Sequence, residues 1–323
     1  LIFFLCLLAS PAMAEELRFE RQMMGARFLI VCHAGDTAAA GKAAEAAFAI
    51  AGRIEAIASD YRPESELSCL AATPAGSPVP VSPELFALLA HSRKMAAASG
   101  GAFDPSLGPL TRLWRETRKS GRLPEPDLLR AARESSGWQN FSLDPEARTI
   151  IFHKPGMAMD LGGAAKGHAV DLMLESLVAA GIPQAMVAAG GDIRLGDPPP
   201  EKAGWRIALQ SFDLAAADEV LVLANAAVST SGDLHQAVEI EGVRYSHILD
   251  PATGLGLTRR IAATVIADEA KLSDPLATAA CVLGPEKGGV LRETPGVREL
   301  KIRTLQDDAA SVRSEKASNP PLP

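Results

Sequence analysis

Hydrophobic and polar positions along this chain alternate with two different periods. Residues 17–33, LRFERQMMGARFLIVCH, read as two short strands joined by a turn at Met24-Gly25. Residues 37–58 are alanine-rich and helical, and stop before SDYRPESEL, where Pro63 and a Ser/Glu cluster mark a loop. ATPAGSPVPVSPE is a second loop, and Ser82 or Pro83 opens a helix that runs to about Ser99. SGGAFDPSLGPL is punctuated by Gly and Pro, and a weaker helical pattern covers 126–136. WQNFSLDPEARTIIFHKPG predicts a hairpin on Asp144-Pro145, followed by a strand, MAMDL, and a helix from about 164 to 180 that ends at Gly181. QAMVAAGGDIRLG, WRIALQ, 220–231, 243–249 and 261–267 read as further strands. An apolar helix beginning SDPLATAACVLG follows them at 273. Strands in hairpin-like runs as well as between helices predict an α+β fold with mixed or mainly antiparallel sheets. No GxGxxG follows a strand and no Walker loop is present, which argues against a doubly wound nucleotide-binding sheet.

Composition changes this picture only at the ends. The chain has 323 residues, 47% of them hydrophobic and 22% charged, which is the balance of an ordinary globular body. A net charge of −7 argues against non-specific nucleic-acid binding. The first fourteen residues, LIFFLCLLASPAMA, carry no charge and end in an A-x-A pattern. They predict a signal peptide over 1–14 and a soluble exported, periplasmic protein, with retention at the inner membrane if the segment stays uncleaved. No other long apolar run suggests a membrane span. The body is expected over 15–305, with a polar, Pro-rich, disordered tail over 306–323. Beyond the leader stand Cys32, Cys69 and Cys281, an odd count with no CxxC. A disulfide framework or a zinc site is therefore not expected, and at most one disulfide is possible.

Five stretches carry candidate chemistry. In DLGGAAKGHAVD, 160–171, two glycines allow close backbone approach before a helix that places Lys166 in its first turn. A cation is unfavourable at a bare helix N-terminus, so the mismatch points to an anionic neighbour; a tight turn with a solvated lysine is the plainer alternative. AAGGDIRLG, 188–196, is a second double-glycine turn with Asp192 just beyond it, and a simple hairpin turn also explains it. VSTSGDLHQ, 228–236, lines up hydroxyl and glycine positions suited to phosphate oxygens or to an ordinary N-cap. YSHILDPATG, 245–254, places His247 on a strand before an Asp-Pro turn. Asp274 and Thr278, one helical turn apart, then offer two hard oxygen donors of the kind Mg²⁺ shares with substrate phosphates. The alternative there is an N-cap at Asp274 or Ser273, with Thr278 bonded back to its own helix. One strand separates His247 from the Asp274/Thr278 pair, so neighbouring element ends can bring all three together.

In this order, MGARFLI, SDYRPESELSCL, GGAFDPSLGPLTRLW, MDLGGAAKGHAVD, AAGGDIRLG, AVSTSGDLHQ, YSHILDPATG and SDPLATAACVLG resemble the ApbE-type FAD:protein FMN transferases from about Met24 to Gly288. The resemblance implies a two-part α+β body with FAD in the cleft. It implies Mg²⁺-dependent transfer of FMN from FAD to a Thr or Ser hydroxyl of a partner protein, with release of AMP. The partner would be an acceptor subunit of an exported or membrane redox complex, of the Rnf or sodium-pumping NADH:quinone oxidoreductase type. Carried over by motif, Met24, Tyr61, Ala102, Phe103, Asp104, Asp160 and Lys166 would lie against FAD. Thr230, Ser231, Gly232, His247 and Ile248 would border its pyrophosphate. Asp274, Thr278 and the Gly163 carbonyl would hold the metal. His247 is the candidate base, Asp250 its alternative, and Lys166 a charge stabiliser. Hydrolysis of FAD to FMN and AMP, and a non-catalytic flavin carrier, are the competing readings. The chain departs from the family pattern at His168, where Tyr is common, and at Pro275, where Ala is usual and where a first helical turn would tolerate proline.

Overall fold

A computed structural model describes residues 15–209, 219–233 and 236–305. The expected leader, 1–14, and tail, 306–323, lie outside the described residues. Strands β1 (Glu15–Met23) and β2 (Ala26–Ala34) pair through a two-residue turn. Met24 and Gly25 both take positive φ, 49° and 69°, as the favoured hairpin turn demands. Asp36 then caps α1 (Thr37–Ala58), accepting from Ala39 N at 2.9 Å. Next come α2 (Glu66–Leu70), β3 (Pro78–Pro80), α3 (Pro83–Ala98), α4 (Gly108–Ser120), α5 (Pro126–Glu134), β4 (Phe141–Asp144), β5 (Thr149–Phe152) and α6 (Ala165–Ala179). The chain continues through β6 (Ala185–Ala189), β7 (Asp192–Leu195), β8 (Trp205–Leu209), β9 (Glu219–Leu223), β10 (Ala226–Gly232), β11 (Ala237–Ile240), β12 (Val243–Ser246), β13 (Arg260–Ala267), α7 (Ala270–Gly288) and β14 (Val297–Leu305).

The main sheet has the order β1-β2-β6-β7-β10-β13-β14, and every neighbouring pair is antiparallel. The α+β expectation therefore holds. Helices α1, α6 and α7 pack together on this sheet. The buried face of α1 is mostly alanine (Ala40, Ala43, Ala44, Ala47, Ala51), with no bulk to hold α6 away. The β8–β9 hairpin packs Trp205, Ile207 and Leu209 on a separate apolar cluster with Val31, Leu195, Val228 and Ile266. The rest of the body comprises α3 to α5, the small sheet β3-β5-β4 and the β11–β12 hairpin. Leu107, Leu110 and Trp114 there meet Ile240, Tyr245 and Leu249 in a third cluster. No helix among the described residues is long and apolar enough to cross a membrane. Cys32, Cys69 and Cys281 are free thiols.

Several expectations are corrected. MAMDL is not a ladder strand; it is buried, but its backbone serves the loop beside it, with Asp160 N donating to Pro105 O and Ala158 O accepting from Gly108 N. The Gly/Pro punctuation of 100–109 conceals the start of α4, which Pro109 enters in the first turn, where its missing N–H is harmless. The single strand expected over 220–231 is two, β9 and β10, divided at Asn225, whose φ is 49°. β3, β11 and β14 are strands that the pattern of apolar positions did not single out.

One contact sets the geometry of the site. α6 and α7 cross at Gly167, where a Cβ would stand 2.3 Å from Ala270 O and 2.7 Å from Asp274 Cβ. The obstacle is backbone and cannot swing aside. Gly167→Ala is expected to destabilise the fold by about 1–3 kcal/mol, the usual range for overpacking, and a thermal melt measures it.

Candidate active site

A cleft of about 1150 Å³ is lined from both parts of the body. It is slightly larger than the roughly 300–1,000 Å³ typical of small-molecule sites. Met24, Tyr61, Ala102, Phe103, Asp104, Asp160, Gly163, Lys166, Thr230, Ser231, Gly232, His247, Ile248, Asp274 and Thr278 all line it. Of the residues singled out from the sequence, Asp250 alone does not. Its carboxylate accepts from Ala252 N at 2.8 Å and holds the 250–254 turn.

The cleft is built on α7. That helix begins at Ala270, so Asp274 stands in its second turn rather than at its tip, and neither Asp274 nor Ser273 is the N-cap. Pro275 consequently lies inside the helix and cannot bond the Lys271 carbonyl. His91 Nε2 bonds that carbonyl instead, at 2.8 Å. Asp274 is 3% exposed, and its Oδ2 accepts from Gly167 N at 3.0 Å. Thr278 Oγ1 lies 3.2 Å from Ser231 Oγ. A Cβ on Gly163 would stand 3.2 Å from the same Oγ1, so the Gly163 backbone faces the Thr278 hydroxyl.

Lys166, in the first turn of α6, is half-buried. Its Nζ pairs with Asp192 Oδ2 at 3.0 Å and lies 3.9 Å from Asp274 Oδ2. The mismatch of a cation at a helix N-terminus is thus answered in part by the protein's own carboxylates. Burial opposes the charge of Lys166, but Asp192 and Asp274 outweigh it and hold its pKa above the ordinary lysine range. Burial, and after it the charge of Asp192, pushes Asp274 up to about 7, against the pull of Lys166 and the Gly167 N–H. A carboxylate so placed gains from a further cation.

The donor set suits a hard divalent ion. It comprises one buried carboxylate, one hydroxyl and a backbone segment, all oxygen. Among the described residues no three His, Cys, Asp or Glu side chains cluster as a metal cage. A single carboxylate with a hydroxyl beside it is the kind of oxygen set that Mg²⁺ uses when it keeps waters and shares its shell with substrate phosphates.

The rest of β10 supports this site with hydroxyls. Ser229 Oγ meets Ser273 Oγ at 2.8 Å, and Thr230 Oγ1 meets Thr264 Oγ1 at 2.9 Å. Thr230, Ser231 and Gly232 form the end of this strand.

His247 stands just beyond β12 and is half-buried. Trp114 of α4 fixes this end of the strand by donating Nε1–H to Ser246 O at 3.1 Å. His247 Nδ1 lies 3.2 Å from Gln236 O. A carbonyl only accepts, so Nδ1 carries the proton and Nε2 of the neutral ring keeps its lone pair. Burial lowers the pKa of His247; the Gln236 carbonyl opposes this, and the charges of Arg118 and Lys166 reinforce it.

At the mouth, Tyr61 is 74% exposed and the Arg115 guanidinium lies 3.7 Å from its ring centroid. Arg115 also pairs with Asp60 and lies 3.9 Å from Asp160. Asp160 in turn accepts from Gly162 N at 2.8 Å and shapes the double-glycine turn. Asp104 reaches the cleft, but its carboxylate is engaged by Ser106 N, Ser106 Oγ and Trp138 N, which makes it an organiser of the 104–108 loop.

Among the cleft residues with no role assigned from the sequence, Asp192 and Arg115 make the ion pairs that shape the site. Asp192 was visible beyond its glycine pair, and the signal for it was the unbalanced charge of Lys166. Arg115 belongs to α4, the helix that the Gly/Pro pattern concealed.

This fold of an antiparallel sheet packed with helices is shared with proteins of known structure. Residues 24–300 match the ApbE family, and the chain belongs to it. It is 32% identical over 254 residues to the FAD:protein FMN transferase of Vibrio cholerae, covering 77% of this chain and 75% of that one. It is 36% identical over 224 residues to the FAD:protein FMN transferase of Chlamydia trachomatis, covering 68% and 69%. The crystal structure of the apo flavinyl transferase ApbE of Pseudomonas stutzeri superimposes with a TM-score of 0.78 at 31% identity, covering 91% of this chain and 96% of that one. The ApbE protein of Thermotoga maritima superimposes with a TM-score of 0.81 at 28% identity, covering 92% and 99%.

Proposed function

We propose that this protein is an FAD:protein FMN transferase that uses Mg²⁺ to move FMN from FAD to a Thr or Ser hydroxyl of a partner flavoprotein, releasing AMP. The observation that carries the reading is the meeting of Asp274, Thr278 and the Gly163 backbone with Lys166 and His247 in one cleft. The named activity of its relatives supports the same reaction.

In this reading Asp274, Thr278 and Gly163 hold the Mg²⁺, which when bound neutralises phosphate charge. Lys166 remains a cation at every physiological pH and stabilises charge that develops between the two phosphorus atoms. His247, neutral and with Nε2 unprotonated, takes the proton of the acceptor hydroxyl. The hydroxyl oxygen forms a new ester bond to the FMN phosphorus. The bridging P–O bond breaks, and AMP leaves with the bridging oxygen. Tyr61 offers a flat, exposed ring at the mouth for the isoalloxazine to stack on.

The acceptor in this proposal is a subunit of an exported or membrane redox complex, of the Rnf or sodium-pumping NADH:quinone oxidoreductase type. The uncharged run and A-x-A pattern of 1–14 support an exported location.

The test incubates purified protein with FAD, Mg²⁺ and a hydroxyl-bearing acceptor. Flavin fluorescence that stays on the acceptor through a denaturing gel, with AMP released in equal amount, is the expected result. AMP without labelled acceptor would identify an FAD pyrophosphatase, and FAD binding with neither product a carrier.

A further inference from the structure

The helix that presents Asp274 and Thr278 is not capped by its own sequence. Glu269 occupies the N-cap position of α7 and makes no side-chain bond there. The free N–H groups of Ala270 and Lys271 donate instead to Asp171 Oδ1 and Oδ2, each at 2.8 Å. Asp171 lies on α6, is 3% exposed, and holds Arg194 Nε of β7 at 3.0 Å. Four residues earlier on α6, and so on the same face, Gly167 N donates to Asp274 Oδ2. The two helices therefore exchange bonds in both directions. α7 gives two N–H groups to α6, and α6 gives one back to the carboxylate of the site. With no Cβ at Gly167 to separate them, these bonds fix both the height and the rotation of α7 against Lys166 and the Gly163 turn. A serine or aspartate at 269 would cap the helix at less expense than a buried carboxylate from another element. What a local cap would not do is tie the start of α7 to the helix that carries Lys166.

We propose that Asp171 is a positioning residue for the divalent-cation site, capping α7 from α6 so that Asp274 and Thr278 face Gly163 before any cation arrives. The inference rests on the reading of that site as a cation site. It also gives Arg194 of the GGDIR stretch a place, as the counter-charge of the residue that holds the helix. Asp171 does not line the cleft; it acts through α7.

The test is Mn²⁺ binding, titrated by electron paramagnetic resonance in the presence of ADP, a diphosphate that carries no flavin to transfer. Asp171→Asn keeps the size but turns an amide N–H₂ toward one of the two helix N–H groups. It is expected to weaken Mn²⁺ binding by roughly 10–100-fold, the range for partners that orient metal ligands. Phe141→Leu, in the remote β4 core, is expected to lower the melting temperature and leave Mn²⁺ affinity unchanged. Wild-type affinity in Asp171→Asn would make the residue a plain stabiliser and overturn the proposal. Absence of Mn²⁺ binding in the wild-type protein would overturn the cation reading itself, and the proposal with it. Should Asp171→Asn fail to fold, hydrogen exchange on the metal-free wild-type protein decides. Slow exchange at the Ala270 and Lys271 amides supports a preformed clamp, and exchange at the rate of an open chain end refutes it.

Discussion

Asp274→Asn is expected to lower FMN transfer by about 10³-fold or more at a fixed Mg²⁺ concentration, with the melting temperature of the metal-free protein preserved. The activity loss follows from removing the one buried carboxylate of the cation site; charge stabilisation of this kind contributes several kcal/mol, and each 1.36 kcal/mol is tenfold in rate. Stability should be preserved because the wild-type carboxylate is itself poorly solvated, with a pKa pushed up to about 7. An amide of the same shape avoids that penalty, and Lys166 keeps Asp192 as its partner at 3.0 Å. The same pKa fixes the sign of the pH response. A cation must displace the proton from Asp274, so apparent Mg²⁺ affinity rises as pH increases through about 7 and falls below it. Mg²⁺ titrations of transfer rate at pH 6 and pH 8 read this directly. A flat response, or normal activity in Asp274→Asn, would place the cation elsewhere.

His247→Ala is expected to lower turnover by about 10²–10⁴-fold, the range for losing a positioned general base, while FAD affinity changes little. The Gln236 carbonyl fixes the tautomer that leaves Nε2 free, and burial keeps the ring neutral at pH 7. At saturating Mg²⁺, where protonation of Asp274 no longer limits cation binding, the wild-type rate should therefore hold at neutral pH and fall on the acid side of the lowered imidazole pKa. In His247→Ala that acid limb should disappear. The measurement is a pH–rate profile alongside a flavin-fluorescence titration. A variant that loses FAD binding and keeps its turnover would make His247 a binding residue.

Much of this site is legible in the order of residues alone. The i,i+4 spacing of Asp274 and Thr278 puts two oxygens on one face of α7 whatever the fold, and paired glycines ahead of Lys166 announce a close approach. Those are local statements, and local geometry carries them. The register of α7 was less visible. EAKL, 269–272, has no strong start signal because the cap comes from Asp171, about a hundred residues away in sequence. Pro275 had argued for a first turn; a histidine on α3 makes an interior proline tolerable by taking up the orphaned carbonyl. Asp192 and Arg115 escaped for a related reason. Each is defined by the charge it meets across the cleft, and such pairings leave no period in the sequence. MAMDL has the apolar pattern of a strand and the burial of one, but its backbone bonds to the 105–108 loop and not to a sheet.

A crystal grown with Mn²⁺ and ADP, and measured for anomalous scattering at the manganese edge, tests the central claim most directly. The account predicts one strong peak between the Asp274 carboxylate, the Thr278 hydroxyl and the Gly163 carbonyl, with nucleotide phosphate on its open side. A nucleotide bound in the cleft with no peak there, or with the ion held by other residues, would contradict it.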